Sequence, residues 1–174
     1  MARKPELRVT APERLTVDHD VAGFTNGLHG SLDDWLRERA LASEGLSART
    51  YVVCDARQPR RVVGYYTITT AMEQRAVLPS AKLRRGMPDQ APLLLIGRLA
   101  VDAQFQGIGL GVDLLADALR RCAGASEIAG ARAVIVHAID EKAAAFYERH
   151  GFLPSPLGEL VLLMPIETVR ATLA

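Results

Sequence analysis

Gln106, Gly109 and Gly111 stand in the stretch DAQFQGIGLGVDLLADALRRCA, residues 102 to 123, where a glycine-rich turn runs into an amphipathic segment. Glycine lets backbone N–H groups approach a ligand closely, and a helix N-terminus behind such a turn favours an anion. The chemistry suggested is the holding of a phosphate or pyrophosphate. The P-loop pattern fails, because Val112 and Asp113 stand where Lys and then Ser or Thr are required. The dinucleotide fingerprint G-x-G-x-x-G fails too: counted from Gly107 its last position is Val112, and counted from Gly109 it is Leu114. Gln106-x-x-Gly109-x-Gly111 remains, either as a pyrophosphate cradle or as a turn that only packs its helix tightly on a sheet. Tyr147, in AAAFYERHGF, is the second residue of chemical interest. On pattern alone it is a proton donor or a core aromatic beside Phe146.

Such residues need elements to position them. ELRVT reads as a first strand, and SLDDWLRERALA as a helix that Ser31 caps, with Asp34 three residues on and Leu32, Trp35, Leu36 and Ala40 on one face. TYVVCD and RVVGYYTITTAM read as strands paired antiparallel across the turn ARQPR. A polar, basic loop comes next, LPSAKLRRGMPDQAP. LLLIGRLAVD is almost continuously apolar and reads as a central strand covered on both faces. The helix from about Ile108 to Gly124 turns Leu110, Leu114, Leu115, Ala118 and Leu119 inward. RAVIVHAI is a further buried strand, DEKAAAFYERH a helix with Asp140 at its start and Gly151 past its end, ELVLLMP a last strand, and a short helical tail closes the chain. The order β–α–β–β–β–α–β–α–β predicts an α/β (α+β mixed) fold, a mixed central β-sheet with helices on both faces. Its strand–helix–strand from Leu93 to Ile139 is expected to be a right-handed parallel crossover.

The 174 residues, 49% apolar and 24% charged, suit one domain spanning 1–174 with a single sizeable core. No apolar run is long enough to cross a bilayer, and Pro5, Pro12 and the early charges speak against a secretory signal. Cys54 and Cys122 lie far apart without metal-ligand spacing, so both are expected to be reduced, buried thiols in a cytoplasmic protein, with no metal. The net charge of +1 conceals an asymmetry. From Arg57 to Arg85 the segment carries +6, leaving −5 for the rest, so a local basic surface can meet an anionic partner.

Gln106-x-x-Gly109-x-Gly111 after RLAVD resembles the acyl-CoA pyrophosphate motif of the GNAT N-acetyltransferase superfamily, and AAAFYERHGF, with Tyr147 five residues before Phe152, resembles its second signature. The resemblance runs from Leu7 to Met164. More narrowly, FTNG, LDDWLRERA, TYVVCD, VVGYY, RGMPDQAPLLLIGRLAVD, VHAIDEKAAAFYERHGF and SPLGELVLLM together resemble the GNAT toxins of bacterial type II toxin–antitoxin pairs, of the TacT and AtaT type. The resemblance implies a GNAT fold with a βαβ acetyl-CoA-binding core. It also implies acetyl transfer to the α-amino group of aminoacyl-tRNA, blocking translation, with acetyl-CoA as cofactor. A ribbon-helix-helix antitoxin and a homodimer are the implied partners. By the same resemblance, backbone N–H groups of Leu99, Ala100 and Val101 face the oxyanion and the pantetheine arm. The pyrophosphate falls to the N–H groups of Gln106, Gly107, Ile108, Gly109, Leu110 and Gly111, with the Gln106 side chain as a further donor, and Tyr147 becomes the proton donor to the departing thiolate. One departure is Asp140-Glu141, where many members carry Asn, so no CoA contact is assigned there.

The acceptor is read from charge and from what is missing. Among His19, His29, His137 and His150 no general base stands out, and His137 is expected to be a satisfied core imidazole. A lysine ammonium, with a pKa of about 10.4, needs a base before it attacks, whereas an α-amine, at about 7.7–8.0 and lower when esterified, does not. Arg75, Lys82, Arg84 and Arg85 are the candidate tRNA-phosphate contacts. No aromatic residues interleave with them, so base stacking is not indicated there. Arg98 is left between a substrate role and a buried ion pair. Two alternatives stand beside the tRNA reading: an enzyme acetylating a small amine or a protein N-terminus, and a non-catalytic CoA-binding regulator.

Overall fold

The computed structural model describes residues 6–173. The elements are β1 (Glu13–Arg14), α1 (Gly30–Glu38), α2 (Ala40–Ser43), β2 (Arg49–Asp55), β3 (Gln58–Gln74), α3 (Ala81–Arg84), β4 (Gln90–Val101), α4 (Leu110–Ile128), β5 (Ala133–His137), α5 (Glu141–Arg149), β6 (Leu153–Ser155), β7 (Gly158–Pro165) and α6 (Ile166–Leu173). Short 3-10 turns sit at Arg75–Val77 and Ala103–Phe105. The seven strands lie in the order β1-β2-β3-β4-β5-β7-β6. The sheet is mixed: β4 and β5 run parallel in the register Leu93↔Ala133 to Ile96↔Val136, while β1–β2, β5–β7 and β6–β7 are antiparallel. Ala56 and Arg57 alone join β2 to β3, a link short enough only for antiparallel neighbours. Among the described residues no helix is long and apolar enough to cross a membrane.

The chain forms two compact units, one from the residues up to Thr67 with Arg98–Asp117, the other from Ile68–Gly97 with the residues from Ala118 onward. In the first, Leu36 of α1 and Ala40 of α2 pack on Val52, Val62, Tyr65 and Ala100, with Leu32 and Trp35 of α1 against the cluster, the face that the spacing of these residues predicts. In the second, Val77, Leu78 and Leu83 pack with Leu93, Ala133, Ile135 and Leu163. Leu110, Leu114, Leu115, Ala118 and Leu119 of α4 are all buried, as expected. Asp140 caps α5, its Oδ1 accepting from Ala143 N at 2.8 Å, and Gly151 supplies the left-handed residue past the helix end, with φ +96°.

Four local expectations fail. ELRVT is not a strand: Val9 makes a single bridge to Asp55, and the pairing resumes only at Glu13 and Arg14, beyond Pro12, which has no N–H for a ladder. Ser31 does not cap α1, whose N-cap is His29 without a side-chain bond. Asn26 instead shapes the turn before the helix, its Oδ1 accepting from Leu28 N at 3.0 Å and His29 N at 2.7 Å. The basic loop is partly helical, because Ser80 Oγ accepts from Leu83 N to cap α3 and Leu83 is buried. His137 is the last residue of β5 and is exposed rather than a core imidazole.

Gly64 is the tightest glycine in the first unit. A Cβ there would lie 2.9 Å from Val53 Cγ2 and 3.1 Å from Leu114 Cδ1. Gly64→Val is expected to cost about 1–3 kcal/mol through overpacking, read as a lower urea midpoint at unchanged m-value. An unchanged midpoint would mean that β2 and α4 yield at no cost.

Candidate active site

The first unit builds the glycine turn. β4 ends at Val101, and Asp102, only 1% exposed, organises the turn beyond it. Its Oδ1 accepts from Gln104 N at 3.0 Å and its Oδ2 from Thr25 N at 3.1 Å. Arg61 stands 3.8 Å from Oδ1 and donates to Gln104 Oε1 at 2.8 Å. Ala103 N returns a bond to Thr25 O at 2.8 Å. Gln106 closes the clasp: its Nε2 donates to Asn26 O at 2.8 Å and to Val101 O at 3.0 Å. Asn26 is in turn tied to α1, its N and Nδ2 both donating to Asp33 Oδ1, at 3.0 and 2.7 Å.

This geometry corrects one expectation. Both amide hydrogens of Gln106 are spent on backbone carbonyls, so its side chain braces the turn and is no spare donor to an anion. Gly107 and Gly109 meet the requirement for glycine, with φ of +79° and +85° and no heavy atom within 4 Å of a Cβ built on either. The backbone there faces open space, and the unpaired N–H groups of the first turn of α4 begin directly behind. Leu99, Ala100 and Val101 precede the turn on β4, so the expected cofactor-binding residues, Gln106, Ile108, Leu110 and Gly111 included, all belong to this one unit. Arg98, just before them, has its guanidinium carbon 4.1 Å from the Trp35 ring centroid.

The second unit carries Tyr147 and the basic residues. Tyr147 is buried on α5, edge-on to Phe146 at 5.3 Å and to Phe152 at 5.4 Å. Its hydroxyl makes no hydrogen bond to any described residue. Burial pushes its pKa up to about 12, so the phenol keeps its proton across the physiological range. Arg75 donates to Met87 O at 2.9 Å and pairs with Asp89 at 3.4 Å, and Arg84 donates to Leu78 O at 2.7 Å, so these two partly serve their own loop. Lys82 and Arg85 are exposed. His137 Nε2 stands 4.0 Å from Glu73 Oε1.

Sequence spacing gave no hint of one trio. Glu13, His19 and Cys54 bring possible ligand atoms within 4.8 Å of one another. These groups are already satisfied among themselves: His19 Nδ1 accepts from Thr16 N at 2.9 Å, which puts the ring proton on Nε2, 2.8 Å from Glu13 Oε1. The Cys54 thiol is pushed up to about 11, first by burial and then by the Glu13 charge, against a hydrogen bond from Thr10 that lowers it. Cys122 is pushed up to about 12 by burial. Asp102, Asn26, Asp33 and Trp35 are the site-building residues that motif reading passed over. The visible signal was Asp102 itself, a carboxylate set between a buried strand and the glycines.

The chain is similar to known proteins. A family model described as an acetyltransferase (GNAT) domain matches residues 47–154. The tRNA-acetylating toxin of Mycobacterium tuberculosis is 42% identical over 163 residues, covering 93% of this chain and 95% of the relative. Among solved structures, AtaT complexed with acetyl-methionyl-tRNAfMet is 31% identical with a TM-score of 0.86, over 96% of this chain and 100% of that one. AtaTR bound with AcCoA is 32% identical with a TM-score of 0.82, over 95% and 98%. A tyrosine-to-phenylalanine mutant of the AtaT toxin bound to the C-terminus of the antitoxin AtaR is 29% identical with a TM-score of 0.80, over 96% and 98%.

Gln106→Ala removes both bonds of the clasp. It is expected to cost about 1–3 kcal/mol and to speed amide hydrogen exchange selectively over residues 103–113. Exchange unchanged in that segment would show that the turn holds its shape without the side chain.

Proposed function

The chain belongs to the GNAT acetyltransferase family, and from that premise we propose that it is an acetyl-CoA-dependent toxin that acetylates the α-amino group of aminoacyl-tRNA and so blocks translation. The observation that carries this reading is the braced glycine turn, open on its ligand side, in a chain 42% identical along 93% of its length to a tRNA-acetylating toxin. The likeness to AtaT with an acetylated aminoacyl-tRNA supports the acceptor, and that to AtaTR with AcCoA supports the cofactor. The chain acts as one acetyltransferase domain over 1–174; the matched segment 47–154 draws on both units. A ribbon-helix-helix antitoxin neutralises it, in keeping with the AtaT–AtaR structure, and it works as a homodimer in the cytoplasm, where charged tRNA is found.

Acetyl-CoA supplies an acetyl group as a thioester. The open N–H groups of Gly107 to Gly111 and the start of α4 hold its pyrophosphate. Backbone N–H groups of Leu99, Ala100 and Val101 offer donors where negative charge develops on the carbonyl. Tyr147 holds a proton for the leaving sulfur. With the phenol near 12 and an ordinary thiol near about 8.5, complete transfer is uphill, so Tyr147 acts by donating a hydrogen bond to the sulfur as charge builds. The acceptor amine, being an ester of an α-amino acid, is largely neutral at physiological pH and attacks without a dedicated base. No step calls for a metal. Arg75, Lys82, Arg84 and Arg85 meet tRNA phosphates, the exposed pair Lys82 and Arg85 most directly.

Labelled acetyl-CoA offered to a bulk aminoacyl-tRNA pool, with lysine peptides and polyamines in parallel, is expected to label only the charged tRNA. Label on peptides or polyamines alone would overturn the tRNA reading and leave the fold and cofactor standing. Tyr147→Phe is expected to bind acetyl-CoA as before and to lose about 100-fold or more in kcat. The wild-type rate should rise as the acceptor ammonium loses its proton and then stay level to pH 10, because Tyr147 remains protonated there. Unchanged kcat in the variant removes Tyr147 from the reaction. Lys82→Glu with Arg85→Glu is expected to raise KM for tRNA and flatten its salt dependence by about one logarithmic unit for each phosphate no longer neutralised, with KM for acetyl-CoA unmoved. Equal rises in both would make the basic segment structural.

A further inference from the structure

Arg98 is the cation that none of these roles explains. It stands on β4 directly before Leu99, and alternation along the strand turns it to the same face as Ala100. Ala100 packs in the cluster with Phe24, Leu36 and Tyr65, against which Trp35 of α1 lies. On that face the Arg98 guanidinium carbon sits 4.1 Å from the Trp35 ring centroid. Trp35 stacks on Tyr65 at 6.1 Å with 10° between planes. Tyr65 is itself pinned, by the edge contact of Phe24 at 5.6 Å and by its hydroxyl donating to Leu32 O at 2.7 Å. Guanidinium, indole and phenol form three layers on an immobile base.

Two other half-buried arginines stand beside carboxylates: Arg132 with Glu167 at 2.6 Å, and Arg61 by Asp102 at 3.8 Å. Arg98 has no ion pair and no hydrogen bond to any described residue. A ring satisfies one face of a guanidinium through its π cloud, but leaves the five in-plane N–H donors unused. Burial acts in the same direction, holding the Arg98 pKa below the usual arginine value, the cost of a cation with no anion beside it. A planar donor fork fixed in place and lacking an acceptor fits a bidentate oxyanion, phosphate above all.

We propose that Arg98, clamped on Trp35, is a positioning residue that takes a backbone phosphate near the aminoacylated end of the acceptor and so sets the amine against the acyl strand. The inference rests on the tRNA reading above. Acetyl-CoA carries a pyrophosphate, for which the glycine turn provides, and a 3′-phosphate, a source that the acetyl-CoA affinity of the variants separates from the acceptor.

Two small acceptors separate the possibilities: an amino acid esterified to adenosine, without phosphate, and the same amino acid esterified to cytidylyl-adenosine, with one phosphodiester. Wild-type enzyme is expected to prefer the phosphodiester acceptor by about 10- to 100-fold in kcat/KM, the range of a charge-assisted contact. Arg98→Gln should bring that ratio toward one, and Arg98→Lys, which keeps the charge but not the fork, should fall between. Calorimetric acetyl-CoA affinity and melting temperature report folding for each variant, and should Arg98→Gln fail to fold, the ratio is read on Arg98→Lys. An unchanged ratio in both variants overturns the proposal, as does a rise in KM for acetyl-CoA alone, which would assign the phosphate to the cofactor. Wild-type activity on both small acceptors without preference overturns this inference and leaves the tRNA reading intact. Wild-type activity on peptides with none on either ester overturns the tRNA reading and this inference with it.

Discussion

A carboxylate almost wholly removed from water must be given donors, and the way Asp102 is given them shapes the whole of the glycine turn. Its two oxygens draw in Gln104 N and Thr25 N, which bends the chain out of β4 and fastens it to the segment before α1. Gln106 then ties the same two stretches together through Val101 O and Asn26 O. With those bonds made internally, Gly107, Ile108 and Gly109 beyond them are left exposed. The brace uses a neutral amide where a lysine would also have reached.

The charges obey a matching division. Donors at the turn and along Leu99–Val101 are uncharged backbone groups, suited to charge that appears only during the reaction. Arg75, Lys82 and Arg84 gather full positive charge on α3 and the turn before it. Tyr147 sits among Phe146 and Phe152 in surroundings that favour its neutral form, and an uncharged acceptor amine matches a chain in which no histidine is set up as a base.

The strand–turn–helix and the capped α5 were legible in the sequence because their signals are local: glycines where φ turns positive, Asp140 and Gly151 at the two ends of one helix. Ser31 misled for the complementary reason. A serine before an apolar run is a sound cap signal, but the helix begins at Gly30, so Ser31 already lies inside its first turn. His137 misled because hydrophobic continuity marks a strand without marking its last residue. Leu83 turned a polar stretch into a helix by burying one apolar side chain, which composition averages away. The partners of Asp102, the stack under Arg98, and the meeting of Glu13 and His19 with Cys54 all join residues distant in sequence. No spacing rule reaches them.

The two thiols give the chain a bearing on cellular stress. A thiol held near 11 or 12 is ionised to only about one part in ten thousand or less at neutral pH, and oxidants and electrophiles react with the thiolate. Cys54 and Cys122 are both buried as well. Peroxide therefore meets no exposed thiolate at either cysteine.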